Sequence, residues 1–89
     1  MRLRARTDAN QETIASALEK VGCQVERKLA RVGDGIPDLL VCRNGRIFLL
    51  EVKQPGERLT AKEQAWHLRF GCAKVVHTVD EALDAIGIK

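Results

Sequence analysis

Two short segments of this 89-residue chain place charged side chains inside apolar runs. In "GIPDLLV" Asp38 follows Pro37, and in "IFLLEVK" Glu51 and Lys53 flank Val52. Charged side chains are rarely buried unless they are paired or bind a ligand. Carboxylate oxygens are hard ligands. Two acids in such positions, without His or Cys beside them, therefore predict binding of Mg²⁺ or Mn²⁺ rather than zinc.

The dipeptide Asn44-Gly45 separates the two runs and predicts a β-hairpin with a two-residue type I′ turn. In the register of that turn Asp38 lies directly opposite Glu51, where two carboxylates repel each other unless a divalent cation lies between them. Lys53 is two residues beyond Glu51 and points to the same face. We therefore predict two metal-binding carboxylates with an ammonium group beside them. The alternative is a structural ion pair between the lysine and one acid.

The elements that must position these residues follow from periodicity and capping signals. A helix is predicted from about Asp8 to Val21 with an apolar stripe of Ile14, Leu18 and Val21, and a half-exposed strand is predicted over residues 23–30. After the hairpin, a capping box at Thr60 and Glu63 predicts a helix to about Phe70 that ends at Gly71. A short strand in "AKVVHTV" and a last helix after Thr78 complete the chain. The order α-β-β-β-α-β-α predicts an α/β or α+β domain with a mixed central sheet flanked by helices.

The composition indicates one mildly basic domain over residues 1–89. Fifteen Lys and Arg against twelve Asp and Glu give a net charge of +3 and a pI near 9.0, which permits nucleic acid as a partner without requiring it. Residues 1–7 are predicted to form a basic N-terminal tail that contains Arg2, Arg4 and Arg6. This tail is either solvated or an arm that binds the phosphate backbone.

The cysteines and histidines predict no zinc site. Cys23, Cys42 and Cys72 are an odd number without CxxC spacing, and we interpret them as buried thiols in a reducing compartment. His67 and His77 form no HExxH pattern. Since no apolar run approaches ~18 residues, no membrane span is expected, and a cytoplasmic location is predicted.

The segments "GIPDLLV" and "IFLLEVKQPGERLTAKEQ", with the following helix, resemble the virus-type replication–repair nuclease (VRR-NUC) domain over nearly the whole chain. Pro37-Asp38 with Glu51-Val52-Lys53 is similar to the signature of the wider PD-(D/E)xK nuclease superfamily. The resemblance implies that superfamily's α-β-β-β-α-β core and Mg²⁺- or Mn²⁺-dependent phosphodiester hydrolysis. It also implies a phage- or bacterium-encoded protein that acts in the host cell, often as a homodimer.

The resemblance also implies roles for individual residues. Asp38, Glu51 and the Val52 backbone carbonyl would bind the metal, while Lys53 would act at the attacking water. Gln64 matches the family's glutamine in the helix after the lysine. The nearest acid to the family's first-helix position is Glu12, which helical geometry places far from the apolar stripe, whereas Gln11 lies nearer to it. Glu12 is as compatible with a solvated surface acid as with a ligand.

The function expected from these residues is metal-dependent endonucleolytic cleavage of structured DNA, such as four-way junctions or flaps. The first alternative is a non-catalytic nucleic-acid-binding module on a nuclease fold, and the second is a structural or regulatory phage protein whose hairpin pairs with a partner. Facing acids repel phosphate, which disfavours the binding module. Because the hairpin is apolar on both faces and three short helices cover little area, we also expect a two-fold symmetric dimer with two sites.

Overall fold

The computed structural model describes the backbone of residues 2–88 and the side chains of residues 9–88. The predicted α-β-β-β-α-β-α order is confirmed, with one additional 3₁₀ helix before the second strand. The elements are α1 (Arg2–Lys20), β1 (Gln24–Glu26), the 3₁₀ helix (Leu29–Val32), β2 (Leu39–Arg43), β3 (Arg46–Val52), α2 (Ala61–Phe70), β4 (Ala73–Val76) and α3 (Val79–Ala85).

The four strands form one mixed sheet in the order β1-β2-β3-β4. The β1–β2 and β2–β3 pairs are antiparallel, and the β3–β4 pair is parallel. Asn44 and Gly45 have φ values of 51° and 79°, which a type I′ turn requires. The pairing runs from Arg43 opposite Arg46 to Leu39 opposite Leu50. The predicted hairpin register is therefore confirmed, and Asp38 and Glu51 are the next facing positions.

The first helix is longer at its start than predicted and ends as expected. It begins at Arg2 rather than near Asp8. Residues 2–7 contain no Gly or Pro, and several of them are strong helix formers, so the helix extends through them. Asp8, the predicted start of the helix, therefore lies inside it. The side chains of Arg2, Arg4 and Arg6 lie outside the described part of the structure, so their proposed role as a phosphate-binding arm stays a prediction. At the C-terminal end, the Gly22 N–H donates to the Glu19 carbonyl and the Cys23 N–H to the Leu18 carbonyl, which is a Schellman ending.

One face of the sheet packs on α1 and α3 and forms the main core. Ile14 and Leu18 are fully buried as predicted, but Val21 is 47% exposed and Ala15 is buried instead. The predicted stripe fails at Val21 because the helix ends there and the chain turns away. The other buried core residues are Cys23, Leu39, Val41, Leu50, Val52, Val76, Ala82 and Ile86.

The opposite face of the sheet carries α2 at the end where Glu51 lies, since side chains of α2 contact Glu51 and Lys53. Trp66 is the buried apolar residue of this helix. Ile47 and Leu68 remain 67% and 86% exposed, so α2 leaves apolar side chains uncovered. None of the helices in the described part of the chain is long and apolar enough to cross a membrane.

Two further predictions made from local pattern are wrong. The strand expected over residues 23–30 ends at Glu26. Beyond that pair β2 offers only Leu39 before Asp38 and Pro37, and proline has no N–H to donate. The chain instead turns, with Glu26 accepting a hydrogen bond from the Lys28 N–H, and enters the 3₁₀ helix. The cysteines were expected to be buried, but only Cys23 is. Cys42 is half-buried and Cys72, just after the end of α2, is exposed.

Candidate active site

The carboxyl groups of Asp38 and Glu51 meet at the end of the hairpin. Asp38 lies just before β2, and its Oδ2 accepts a hydrogen bond of 2.8 Å from the Val52 N–H. Glu51 lies near the end of β3 and is 1% exposed. The two carboxyl groups lie within hydrogen-bonding reach of each other. The structure therefore brings together the two acids that the sequence places opposite one another.

This contact requires a proton between the two acids. Burial raises the pKa of Glu51 to about 10, with further contributions from its hydrogen bond to Asp38 and from the negative charges of Asp38 and Glu63. Burial also raises the pKa of Asp38, although its hydrogen bonds with Glu51 and the Val52 N–H oppose the shift. At neutral pH Glu51 is protonated and donates to Asp38. A cation between the two groups would have to replace that proton.

Lys53 lies beside the acid pair and is held by acids of the following segment. Its Nζ is 2.7 Å from Glu63 Oε1 and 3.7 Å from Glu57 Oε2. Burial by itself lowers the pKa of Lys53, but the hydrogen bond to Glu63 and the charges of Glu63, Glu51 and Glu57 outweigh it, so the pKa is raised. Lys53 therefore remains an ammonium group, which suits a hydrogen-bond donor rather than a free base.

The start of α2 is fixed by its capping box and by a close backbone contact. The Glu63 N–H donates to Thr60 Oγ1 at 3.2 Å, and the Thr60 N–H donates to Glu63 Oε1 at 2.8 Å, as the sequence predicts. Gly35, in the loop before Asp38, packs so closely that a Cβ there would lie 2.3 Å from the Lys62 carbonyl oxygen. The cap and this contact place Glu63 against Lys53.

His67 extends from the next turn of α2 toward Glu51. Its Nε2 lies 3.5 Å from Glu51 Oε1, and its side chain is 14% exposed. The Trp66 ring stacks on Phe70 with 4.1 Å between centroids and meets His67 edge-on at 6.0 Å.

Sequence reasoning did not assign Glu63 or His67 to the site. Their spacing of four residues, on one face of the helix after Lys53, is the signal that could have found them.

Two residues proposed from the family resemblance lie elsewhere. Gln64 is exposed on α2, beside rather than on the face that carries Glu63 and His67. Glu12 is exposed on α1, where Arg27 Nε lies 2.8 Å from its Oε1 and the Ser16 hydroxyl donates to its Oε2. The structure shows neither side chain in contact with the acid pair, so their catalytic roles stay predictions.

The donor set of the acid pair fits a hard divalent cation. Mg²⁺ is commonly bound through one or two carboxylates together with water and substrate phosphate oxygens, and Asp38 with Glu51 provides two. Glu51 Oε1 is buried without a hydrogen-bond partner, which leaves a lone pair available. Within residues 9–88, no three His, Cys, Asp or Glu side chains form a ready-made metal cluster. The remaining ligands would therefore be a backbone carbonyl, water or substrate.

A mixed four-stranded sheet between helices, with facing acids and a lysine at the end of its central hairpin, defines a nuclease-type core of the PD-(D/E)xK kind. The sequence model of the VRR-NUC domain matches residues 2–79, and the chain belongs to this family. A search of curated proteins finds no match. A solved structure described as a VRR_NUC domain is similar to this chain with a TM-score of 0.73 and 24% identity, covering 90% of this chain and 92% of its own. At that identity the likeness shows the fold alone.

Proposed function

We propose that this protein is a Mg²⁺- or Mn²⁺-dependent endonuclease that hydrolyses phosphodiester bonds in structured DNA. Membership of the VRR-NUC family implies a nuclease-type fold. The observation that carries the proposal is the pair of facing carboxyl groups of Asp38 and Glu51, within hydrogen-bonding reach of each other, with the buried Lys53 ammonium beside them. Buried acids that repel each other when ionised destabilise a fold, so their presence favours a role that requires them.

The residues of the site would divide the work as follows. Asp38, Glu51 and the Val52 carbonyl would hold the cation, which lowers the pKa of a water molecule and neutralises charge on phosphate oxygens. Lys53 would donate hydrogen bonds to the attacking water or to the phosphate, since its raised pKa keeps it charged. Glu63 holds Lys53 at the edge of the acid pair and so determines where that charge lies.

We propose a groove along α2 as the path of the DNA backbone. It has a volume of about 310 Å³ and is lined by Asp34, Lys62, Ala65, Trp66 and Arg69. Lys62 and Arg69 lie on the exposed side of α2, where their charges can neutralise phosphates. Asp34 opposes this attraction, and phosphate contacts of this kind carry no sequence information by themselves. We therefore propose recognition of DNA by its shape, as with flaps or four-way junctions.

Cleavage assays with defined substrates test the proposal. Purified protein is incubated with single strands, duplexes, flaps and four-way junctions, each with Mg²⁺, Mn²⁺ or EDTA. We expect cleavage that needs the cation and is lost in Asp38→Asn and Glu51→Gln. Glu26→Gln makes the same chemical change at an exposed position of β1 and should cut normally. DNA binding without cleavage under every condition would favour the non-catalytic binding module.

We further propose that the active form is a two-fold symmetric homodimer. Ile47 and Val75 are exposed on the strands, and Leu68 and Phe70 are exposed on α2. A second copy would cover such apolar side chains and supply a second Asp38–Glu51 site for paired cuts. Light scattering coupled to size exclusion should give twice the 9.9 kDa chain mass at micromolar concentration. A single-chain mass under conditions of full junction cleavage would refute the dimer.

A further inference from the structure

Two buried side-chain atoms in the described part of the chain have no hydrogen-bond partner, and they face each other. They are Glu51 Oε1 and His67 Nε2, at a separation of 3.5 Å. Buried polar atoms are almost always paired, because an unpaired one loses its hydrogen bonds to water without compensation. That distance is too long for a well-formed hydrogen bond and too short for the pair to be unrelated. A small movement of either side chain would complete a hydrogen bond between these two atoms.

The surroundings of Glu51 indicate when the hydrogen bond between Glu51 and His67 forms. Its carboxyl group lies within hydrogen-bonding reach of Asp38, while Oε1 lies 3.5 Å from His67 Nε2 on α2. Carboxyl groups bind a cation in their deprotonated form, so Glu51 would be a buried carboxylate in the metal-bound state. Among the described residues, the group that faces the unpaired Oε1 of this carboxylate is the His67 imidazole, 3.5 Å away. Hydrogen bonds to charged acceptors are shorter and stronger than those between neutral groups.

We propose that His67 is a positioning residue of the metal site. It donates its Nε2–H to Glu51 Oε1 when Glu51 binds the cation, and it thereby fixes the carboxylate in the ligating orientation. The inference rests on the proposed function, because it requires a cation between the two acids. Residues that hydrogen-bond to metal ligands in this way commonly raise metal affinity about 10- to 100-fold.

The position of His67 is already restricted before any ligand binds. Trp66 is buried beside it and stacks on Phe70, while the edge of the Trp66 ring meets the imidazole. The start of the helix is held by the Thr60–Glu63 cap. A donor that is held on a rigid element loses little entropy when its hydrogen bond forms, which is the arrangement expected of a supporting residue.

Direct measurement of Mn²⁺ binding tests the proposal without reference to cleavage. Calorimetric titrations compare the wild type with His67→Leu, which cannot donate, and with His67→Gln, whose amide can. His77→Gln is the matched control, because His77 is the chain's other histidine and pairs with Glu81. We expect Mn²⁺ affinity to fall about 10- to 100-fold in His67→Leu, less in His67→Gln, and not in His77→Gln.

Urea unfolding in EDTA separates a positioning role from a structural one. In the absence of metal, His67→Leu removes an unpaired buried nitrogen, so its stability should equal or exceed that of the wild type. A loss of metal-free stability that accounts for the weaker binding would overturn the proposal, as would unchanged Mn²⁺ affinity in His67→Leu. Electron spin-echo spectra of bound Mn²⁺ should show no histidine nitrogen coupling, since such coupling would make His67 a direct ligand. If the wild type binds no Mn²⁺, the proposed function itself fails.

Discussion

Replacing Glu51 by glutamine should stabilise the metal-free protein at neutral pH while it abolishes activity. In the folded state the pKa of Glu51 is raised from 4.5 to about 10, so the folded protein keeps a proton that the unfolded chain releases. The free energy of unfolding of the wild type therefore falls as the pH rises above 4.5. Glutamine is neutral at every pH, and its amide can donate to Asp38 as the protonated acid does.

The size of the effect follows from the slope of about 1.36 kcal/mol for each pH unit between the two pKa values. Between pH 4.5 and pH 7 the wild type loses at most about 3 kcal/mol that the Glu51→Gln variant keeps, and between pH 4.5 and pH 5 it loses less than about 1 kcal/mol. These are upper limits, because Asp38 shares the proton. We expect the gain at pH 7 to lie at about 1–3 kcal/mol, which is large for a domain of this size.

Urea unfolding in EDTA at pH 5 and pH 7 measures this difference, with Glu26→Gln as the control for the amide itself. If the difference in free energy of unfolding between Glu51→Gln and the wild type is the same at pH 5 and pH 7, Glu51 does not keep a proton in the folded state and the reasoning is refuted. Added Mn²⁺ should offset this difference. At 100 times the dissociation constant it stabilises the wild type by about 2.7 kcal/mol, and the variant should gain far less because it lacks a ligand.

Three further predictions concern Lys53, the loop glycine Gly35 and the basic residues of α2. Lys53→Ala should lose most of its turnover but still bind Mn²⁺ and DNA, because the lysine acts in the transition state. Loss of DNA affinity with normal turnover at saturation would instead make Lys53 a phosphate clamp. In urea unfolding, Gly35→Ala should cost about 1–3 kcal/mol more than Gly33→Ala, since both glycines have positive φ but only Gly35 meets the backbone of α2. Lys62→Ala and Arg69→Ala should each weaken DNA binding and reduce the slope of log affinity against log salt by about 1. An unchanged slope would place the DNA elsewhere.

The local parts of the site could be predicted from the sequence because local interactions encode them. Asn44-Gly45 permits one turn type, that turn fixes the hairpin register, and the two-residue period of a strand then places Asp38 opposite Glu51 with Lys53 on the same face. The Thr60–Glu63 cap is likewise formed by residues a few positions apart. Such features do not depend on the rest of the fold.

The parts that only the tertiary structure decided depend on how distant segments pack. The strand β1 is short because, beyond its last pair of Glu26 with Leu40, the partner strand offers only Leu39, and this limit lies in another segment of the chain. The face that α2 presents to the sheet is set by burial of Trp66 and by the contact of Gly35 with the helix backbone. That packing brings His67, rather than Gln64, to Glu51. Helical periodicity shows which residues share a face, but only long-range packing determines which face meets the acids.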